Sequence, residues 1–304
     1  MDLGVGSFVF SQGVVSLRRS SIKHRLCSTL RRVTPLLLFG FLRMAMVKRS
    51  EYPEHVSEYG VHWNFFMTMG VLLLITDVFQ ILIARRGFAA VGLLIAAIHE
   101  VSLSHTELGT WAIASERDTS SLVSLNKEGL TSLTGYVAIT FLGLDVAHVI
   151  FDAEPKRSFF HRLVRRAILY WACFLLTQGL GLLTSRRLAN LPYVLWSAAF
   201  NVSFLFGFAA LEQTLEYTRQ AGAEPCAPML FETINRHALL VFLLVRLGVL
   251  FILPQSNLAT GAINISMQTM YSSTTLSMLV LGVYMSLMCG IVPLGIERLR
   301  CIST

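Results

Sequence analysis

Apolar stretches close to the length of a membrane crossing recur along the chain: Leu3 to Ser16, Val33 to Val47, Val61 to Ile83, Gly87 to Val101, Thr131 to Phe151, Ala167 to Thr184, Leu191 to Leu211, Ala238 to Leu253 and Thr274 to Leu294. In lipid, backbone N–H and C=O groups must be satisfied within each segment or in a closed barrel. These runs lack the period-two alternation of barrel strands. They therefore predict an all-α polytopic membrane bundle with about nine transmembrane segments, the first, second and fourth falling short of roughly 17 residues. Residues 1–304 are read as one multi-pass domain, with neither a fixed-period repeat nor a low-complexity tract. At 54% hydrophobic and 14% charged residues, the composition excludes an ordinary soluble domain.

The basic residues test this topology, because cytoplasmic loops beside membrane segments carry the excess of Lys and Arg. One set of connections holds Arg18, Arg19, Lys23, Arg25, Arg31 and Arg32, then Arg85 and Arg86, then Lys156, Arg157, Arg162, Arg165 and Arg166, then Arg219 and Arg236, then Arg298 and Arg300. The alternate set holds only Lys48, Arg49, Arg117, Lys127, Arg186 and Arg187. The first set, with the C-terminus, is thereby assigned to the cytoplasm. The formal charge of +7 is explained by this bias and by anionic lipid, so no nucleic-acid partner is expected. The five cysteines have no metal-ligand spacing, and no metal or disulfide framework is expected.

The far, lumenal side then receives residues 48–60, 102–130 and 254–273. The run from Arg49 to Phe66 concentrates Glu51, Glu54, Glu58, His55, His62 and the Trp63-Asn64 pair where a span meets water. Such groups either hold a polar headgroup and relay a proton, or form an interfacial cap with the aromatic residues at headgroup level. His55, Glu58 and His62 are spaced to share one face if the segment is helical. In the second loop, Lys127 beside Glu128 could grip a phosphate or position an acyl carbonyl, although Asn126 to Gly129 is also a common turn composition. Within the spans, Asp77, His99-Glu100, Asp145 with His148, and Arg246 are ionisable, which suits either a relay or a satisfied pair. There is no Gly-rich phosphate loop, no G-x-S-x-G elbow and no H-E-x-x-H motif.

These residues resemble the PIG-W family of inositol acyltransferases of glycosylphosphatidylinositol (GPI) anchor assembly. The resemblance runs over nearly the whole chain, through MDLGVGSFVFSQGVVS, SEYPEHVSEYGVHWNFFMT, NKEGLTSLTGYVAI, SRRLANLPYVLW, TINRHALLVFLL and NLATGAINISMQT in the family's order. It implies an acyltransferase of the endoplasmic reticulum membrane. The reaction would pass a long-chain acyl group from acyl-CoA, a co-substrate with no further cofactor, to the inositol of glucosaminyl-phosphatidylinositol. By match, Tyr52, Glu58, His62 and Asn64 lie near the lumenal substrate site, with Lys127 and Glu128 as secondary contributors.

Two departures qualify the match. Family members carry additional N-terminal spans and a segment like DFPIFPRRFAKTE before the MDLG motif, and its aspartate and lysine look like the catalytic pair. No residue of this chain inherits that role, and this chain by itself is expected to be inactive. Residues 246–256 also interrupt the family's passage from FLL into N-L-x-T-G, as an incomplete gene model would. Two other classes stay open beside the acyltransferase: a transporter or lipid translocator working through intramembrane acids and histidines, and a non-catalytic fragment that keeps the fold.

Overall fold

The computed structural model describes residues 2–17, 22–49, 56–82, 87–151 and 156–220, with a few helical positions between 275 and 283. The elements are α1 (Asp2–Val15), α2 (Ile22–Arg49), α3 (Val56–Tyr59), α4 (Phe65–Leu82), α5 (Phe88–His105), α6 (Leu108–Ile113), α7 (Leu122–Leu125), α8 (Lys127–Phe151), α9 (Lys156–Gly179) and α10 (Leu191–Gln220). All regular structure among the described residues is helical, as the apolar pattern predicts. Of these helices, α5, α8 and the Leu191–Leu211 part of α10 are long and apolar enough to cross a membrane, while α1 and α4 carry shorter apolar runs. The expected spans at 238–253 and 274–294 lie outside the described residues, apart from those few positions.

Two helices begin well before their apolar cores. α2 starts at Ile22 rather than Val33, and α9 at Lys156 rather than Ala167. Their opening turns carry Lys23, Arg25, Arg31 and Arg32, or Lys156, Arg157, Arg162 and Arg165. A search for apolar length stops at such residues, whereas the helical backbone does not.

The chain divides into two compact units, Met1–Met44 with Pro53–Thr214, and Ala45–Tyr52 with Leu215–Thr304. In the first unit α8 is the central post, buried over most of its length and contacted by α1, α3, α4, α5, α6, α7 and α9. Small residues permit the closest approach. A Cβ on Gly13 of α1 would stand 2.2 Å from Thr140 O, and one on Gly143 of α8 2.4 Å from Phe10 O. Gly135 and Gly143 thus serve packing as their place in an apolar run suggests. At Gly179, Gly181 and Gly207 no described residue lies within 4 Å of a Cβ.

Side-chain contacts fix the directions. Gln12 donates to Met69 O (3.0 Å) and Gln80 to Ser16 O (3.1 Å), so α1 and α4 run alongside in the same sense. α2 opposes them, with Thr29 and Arg32 at Asp77 and Gly40 at Asn64. α5 opposes α8, since Phe88 stacks on His148 (5.6 Å) while Gly92 faces Ala138 and Phe141. α9 opposes α8 through Arg166 and Asp145 and opposes α10 through Phe160 with Phe206 and Phe174 with Trp196. Alternation therefore gathers α3, α6, α7 and residues 180–190 at one end of this unit. Arg32 and Arg166 stand at the other, the end the charge bias gives to the cytoplasm.

Those two arginines also account for the acids inside the helices. Arg32 Nη2 lies 3.3 Å from Asp77, which also accepts from Thr29, and Arg166 Nε lies 2.5 Å from Asp145. Asp145 accepts from Arg166, which joins α8 to α9, and His148, three residues further along α8, stacks on Phe88. Both acids are thus members of buried or half-buried ion pairs.

Candidate functional site

The site is built where the connection into α4 lies across the start of α8. α3 ends at Gly60, whose φ of +104° turns the chain sharply and whose N–H donates to Val56 O (2.9 Å). A Cβ there would stand 2.6 Å from Asn126 Cα, so glycine serves both the turn and the approach. Val61 N–H then donates to Leu125 O, and the next two amides, His62 and Trp63, both donate to Asn126 Oδ1 at 2.8 and 2.9 Å. Asn126 Nδ2 returns to Leu122 O at 2.9 Å. Asn126 is therefore a shelf bracket between two helices rather than a turn residue, and α8 begins directly after it. The 64-residue separation from His62 leaves no local signal for that role.

Glu58 and His62 consequently do not share a helical face, because the helix ends between them. Glu58 is half exposed and pairs with Arg186 (2.8 Å) in the turn before α10, and Arg187 Nε reaches Ser57 O (2.9 Å). Burial lifts the Tyr59 phenol to about 12, with Arg186 opposing and Glu58 adding, so it is neutral at physiological pH. For Arg186 burial works against the charge, and Glu58, Tyr59 and Tyr136 together outweigh it, which raises its affinity for the proton. His62 is half-buried, and its Nδ1 is enclosed with no hydrogen-bond partner. Buried imidazole nitrogens are normally paired, which sets this atom apart among the described residues.

Asn64 is placed differently. It is 5% exposed; its Oδ1 accepts from Phe66 and Met67 N–H (3.1 and 3.2 Å), capping α4, while Nδ2 donates to Gly40 O of α2 (2.9 Å). Asn64→Ala should lose both the cap and the tie and cost about 1–2 kcal/mol. Asn64→Asp should keep the cap and lose only the tie. Thermal unfolding of the two variants in detergent checks the order.

Lys127 and Glu128 are buried within the same end. Lys127 Nζ donates to Ala114 O and Glu116 O at 2.8 and 2.9 Å, beneath Trp111 (5.7 Å). Glu128, 2% exposed, is held in a fork by Arg117 at 2.5 and 2.9 Å. Arg117 also reaches Leu125 O and Val56 O, each at 3.3 Å. Together they anchor the α6–α7 connection on α8. Arg117 was visible in sequence only as one of three consecutive charges, and no spacing marked it as the partner of Glu128. Tyr52 and His55 lie outside the described residues.

The same turn that carries Arg186 is held from below. His99 Nε2 meets Leu188 O (2.8 Å), and Glu100 accepts from Leu191 N–H (2.9 Å), so the His99-Glu100 pair of α5 fixes the entry of α10. The structure therefore brings Glu58, His62, Lys127 and Glu128 to one end of the unit, with His62 alone of these offering an enclosed, uncommitted polar atom.

Comparison with known proteins agrees with the resemblance seen in the motifs. The "GPI-anchored wall transfer protein 1" of Aspergillus fumigatus is 35% identical over 329 residues, covering 96% of this chain and 63% of that protein. Proteins of the same name from Yarrowia lipolytica and Schizosaccharomyces pombe are 36% and 33% identical, over 96% and 95% of this chain and 63% and 62% of theirs. The chain spans a little under two thirds of the length of these relatives. The GWT1 family model matches residues 1–294, so the chain belongs to the GWT1 family.

Proposed function

We propose that this chain forms the acceptor-holding part of an acyltransferase of GPI-anchor biosynthesis in the endoplasmic reticulum membrane. The relatives' name supports the pathway. The observation that carries the site is His62, seated on the Asn126 bracket, whose buried Nδ1 has no hydrogen-bond partner among the described residues. An imidazole nitrogen so placed can hydrogen-bond a hydroxyl of an inositol headgroup and hold it in register.

The substrates are acyl-CoA and glucosaminyl-phosphatidylinositol. An inositol hydroxyl oxygen attacks the thioester carbonyl, the carbon–sulfur bond breaks, and coenzyme A leaves as the thiol after taking up the proton lost by the hydroxyl. The step needs a base at the hydroxyl and a donor at the developing oxyanion. Both are assigned to the aspartate and lysine of the segment that the family places before the MDLG motif. His62 holds the acceptor, while Lys127, Glu128 and Asn64 keep its shelf rigid.

Microsomes from cells lacking the endogenous activity, given acyl-CoA and glucosaminyl-phosphatidylinositol, test this reading. A version extended by the family's N-terminal spans is expected to make acylated product, and the 304-residue chain none. In the extended version His62→Ala should lower product roughly ten- to hundredfold at unchanged protein level. Full turnover by the His62 variant would return the run to an interfacial cap. Product from the 304-residue chain would remove the chemistry from the preceding segment.

A further inference from the structure

At the end of the unit that holds His62, most acids are either spent or loose. Glu128 gives both oxygens to Arg117, Glu100 accepts from Ser104 and from Leu191 N–H, and Asp118 turns onto Ser120. Glu107 and Glu116 are exposed, with no side-chain partner among the described residues to fix them. Glu58 is both held and open. Its Oε2 meets Arg186 at 2.8 Å, yet its side chain is 50% exposed and Oε1 accepts no hydrogen bond from the described residues. Arg186 is itself only 15% exposed, and Arg187 beside it donates to Ser57 O at 2.9 Å, so the turn before α10 grips both the side chain of Glu58 and the backbone next to it. An ion pair with a half-exposed member adds little to stability. Its consequence here is orientation: one carboxylate oxygen is pinned and the other is left to solvent.

The strap from Glu58 to Trp63 is tightly folded. A Cβ on Gly129 would stand 2.6 Å from Tyr59 O and 2.5 Å from Trp63 Cδ1, so residues 59 and 63 close over one point of α8 with the Gly60 turn between them. Glu58 and His62 each lie one residue, about 3.8 Å of chain, before one of those two. They therefore belong to one small patch. The acceptor in the proposed reaction carries two polar groups on adjacent rings: the inositol hydroxyl that receives the acyl group, and the amine of glucosamine, protonated at neutral pH as other primary amines are. An ammonium has only donors to offer, and its bonds to a carboxylate are among the strong, charge-assisted kind. N-acetylation removes that charge. Resting on the acyl-transfer reading, we propose that Glu58 binds the glucosamine ammonium of the acceptor through Oε1, with Arg186 holding the carboxylate in place, and so selects the free amine over its N-acetylated form.

The test uses the N-terminally extended protein in phosphatidylcholine vesicles, with acyl-CoA and either glucosaminyl-phosphatidylinositol or its N-acetylated counterpart. The ratio of the two kcat/KM values is read within each variant, which makes it independent of how much of that variant folds. Wild type is expected to favour the free amine. Glu58→Gln keeps an oxygen for Arg186 and loses the charge, and it should cut that preference roughly tenfold, chiefly through KM for the glucosaminyl substrate. Glu58→Asp should recover part of the preference, and Glu107→Gln, at an exposed acid of the same end, should leave it as in wild type. Phosphatidylethanolamine offers the same ammonium from the bulk bilayer, so the ratio is measured again with part of the phosphatidylcholine replaced by it, and no change is expected. A preference that falls as phosphatidylethanolamine rises would assign the carboxylate to bulk lipid and overturn the proposal. An unchanged ratio in Glu58→Gln, even with equal losses on both substrates, would make Glu58 a strut for Arg186 and overturn it too. No product from either substrate in wild type would remove the acyl-transfer reading itself, and the proposal with it.

Discussion

Arg117→Ala should be among the most damaging single substitutions in the first unit, costing about 3–5 kcal/mol. The side chain forks onto Glu128 and also reaches Leu125 O and Val56 O. Its removal leaves a carboxylate that is 2% exposed with no cation, at the first turn of the central helix. The isolated charge is what makes the loss large, because a buried pair itself adds little net stability relative to an apolar pair of like volume. The double substitution Arg117→Met with Glu128→Leu should therefore recover much of what Arg117→Ala loses. Thermal unfolding in detergent checks both, and a single variant melting within about 2 °C of wild type would show that Glu128 is not dependent on Arg117. A parallel loss of acyl transfer in the N-terminally extended protein is expected, since α3 and the shelf under His62 lean on the same guanidinium.

The pattern that sequence can show is periodic and local, and this explains what it revealed here. Apolar length located α1, α4, α5 and α8 and the start of α10 to within a few residues, and the basic connections predicted their alternation. It failed at the starts of α2 and α9 and at the end of α10, where charged residues continue a helix that hydropathy ends. The motif from Tyr52 to Asn64 was legible as unusual chemistry, and His62 remains its outstanding member. Its internal division was not legible. Whether Asn64 meets a ligand or Gly40 O, and whether Lys127 grips a phosphate or the carbonyls of Ala114 and Glu116, depends on partners brought in by tertiary packing. The same holds for Arg186. In sequence it is only one of the few basic residues on the lumenal side, and the fold alone sets it against Glu58 and Tyr59.

That turn supplies the second large effect. Gly135 lies within α8, where alanine would ordinarily stabilise a helix by about 1 kcal/mol through lower backbone entropy in the unfolded chain. Here a Cβ would stand 1.8 Å from Ala189 O and 2.7 Å from Ala189 Cβ. Neither atom belongs to a flexible side chain that could swing aside. Ala189 is fully buried at φ +46°, its N–H donating to Arg186 O (3.1 Å), so relief of the clash must displace the backbone of the turn. Gly135→Ala is therefore expected to lose about 3 kcal/mol or more, beyond the helical gain. Gly207→Ala is the matched control, since no described residue lies within 4 Å of a Cβ there, and it should be neutral or slightly stabilising. The two substitutions have equal propensity terms, so the difference between their melting temperatures isolates the clash. Lifting the turn also draws Arg186 and Arg187 away from Glu58 and Ser57, and activity in the extended protein should fall even in those molecules that stay folded. If Gly135→Ala and Gly207→Ala melt together, the backbone of residues 185–190 does not lie against α8 as described, and the placement of Arg186 beside Glu58 falls with it.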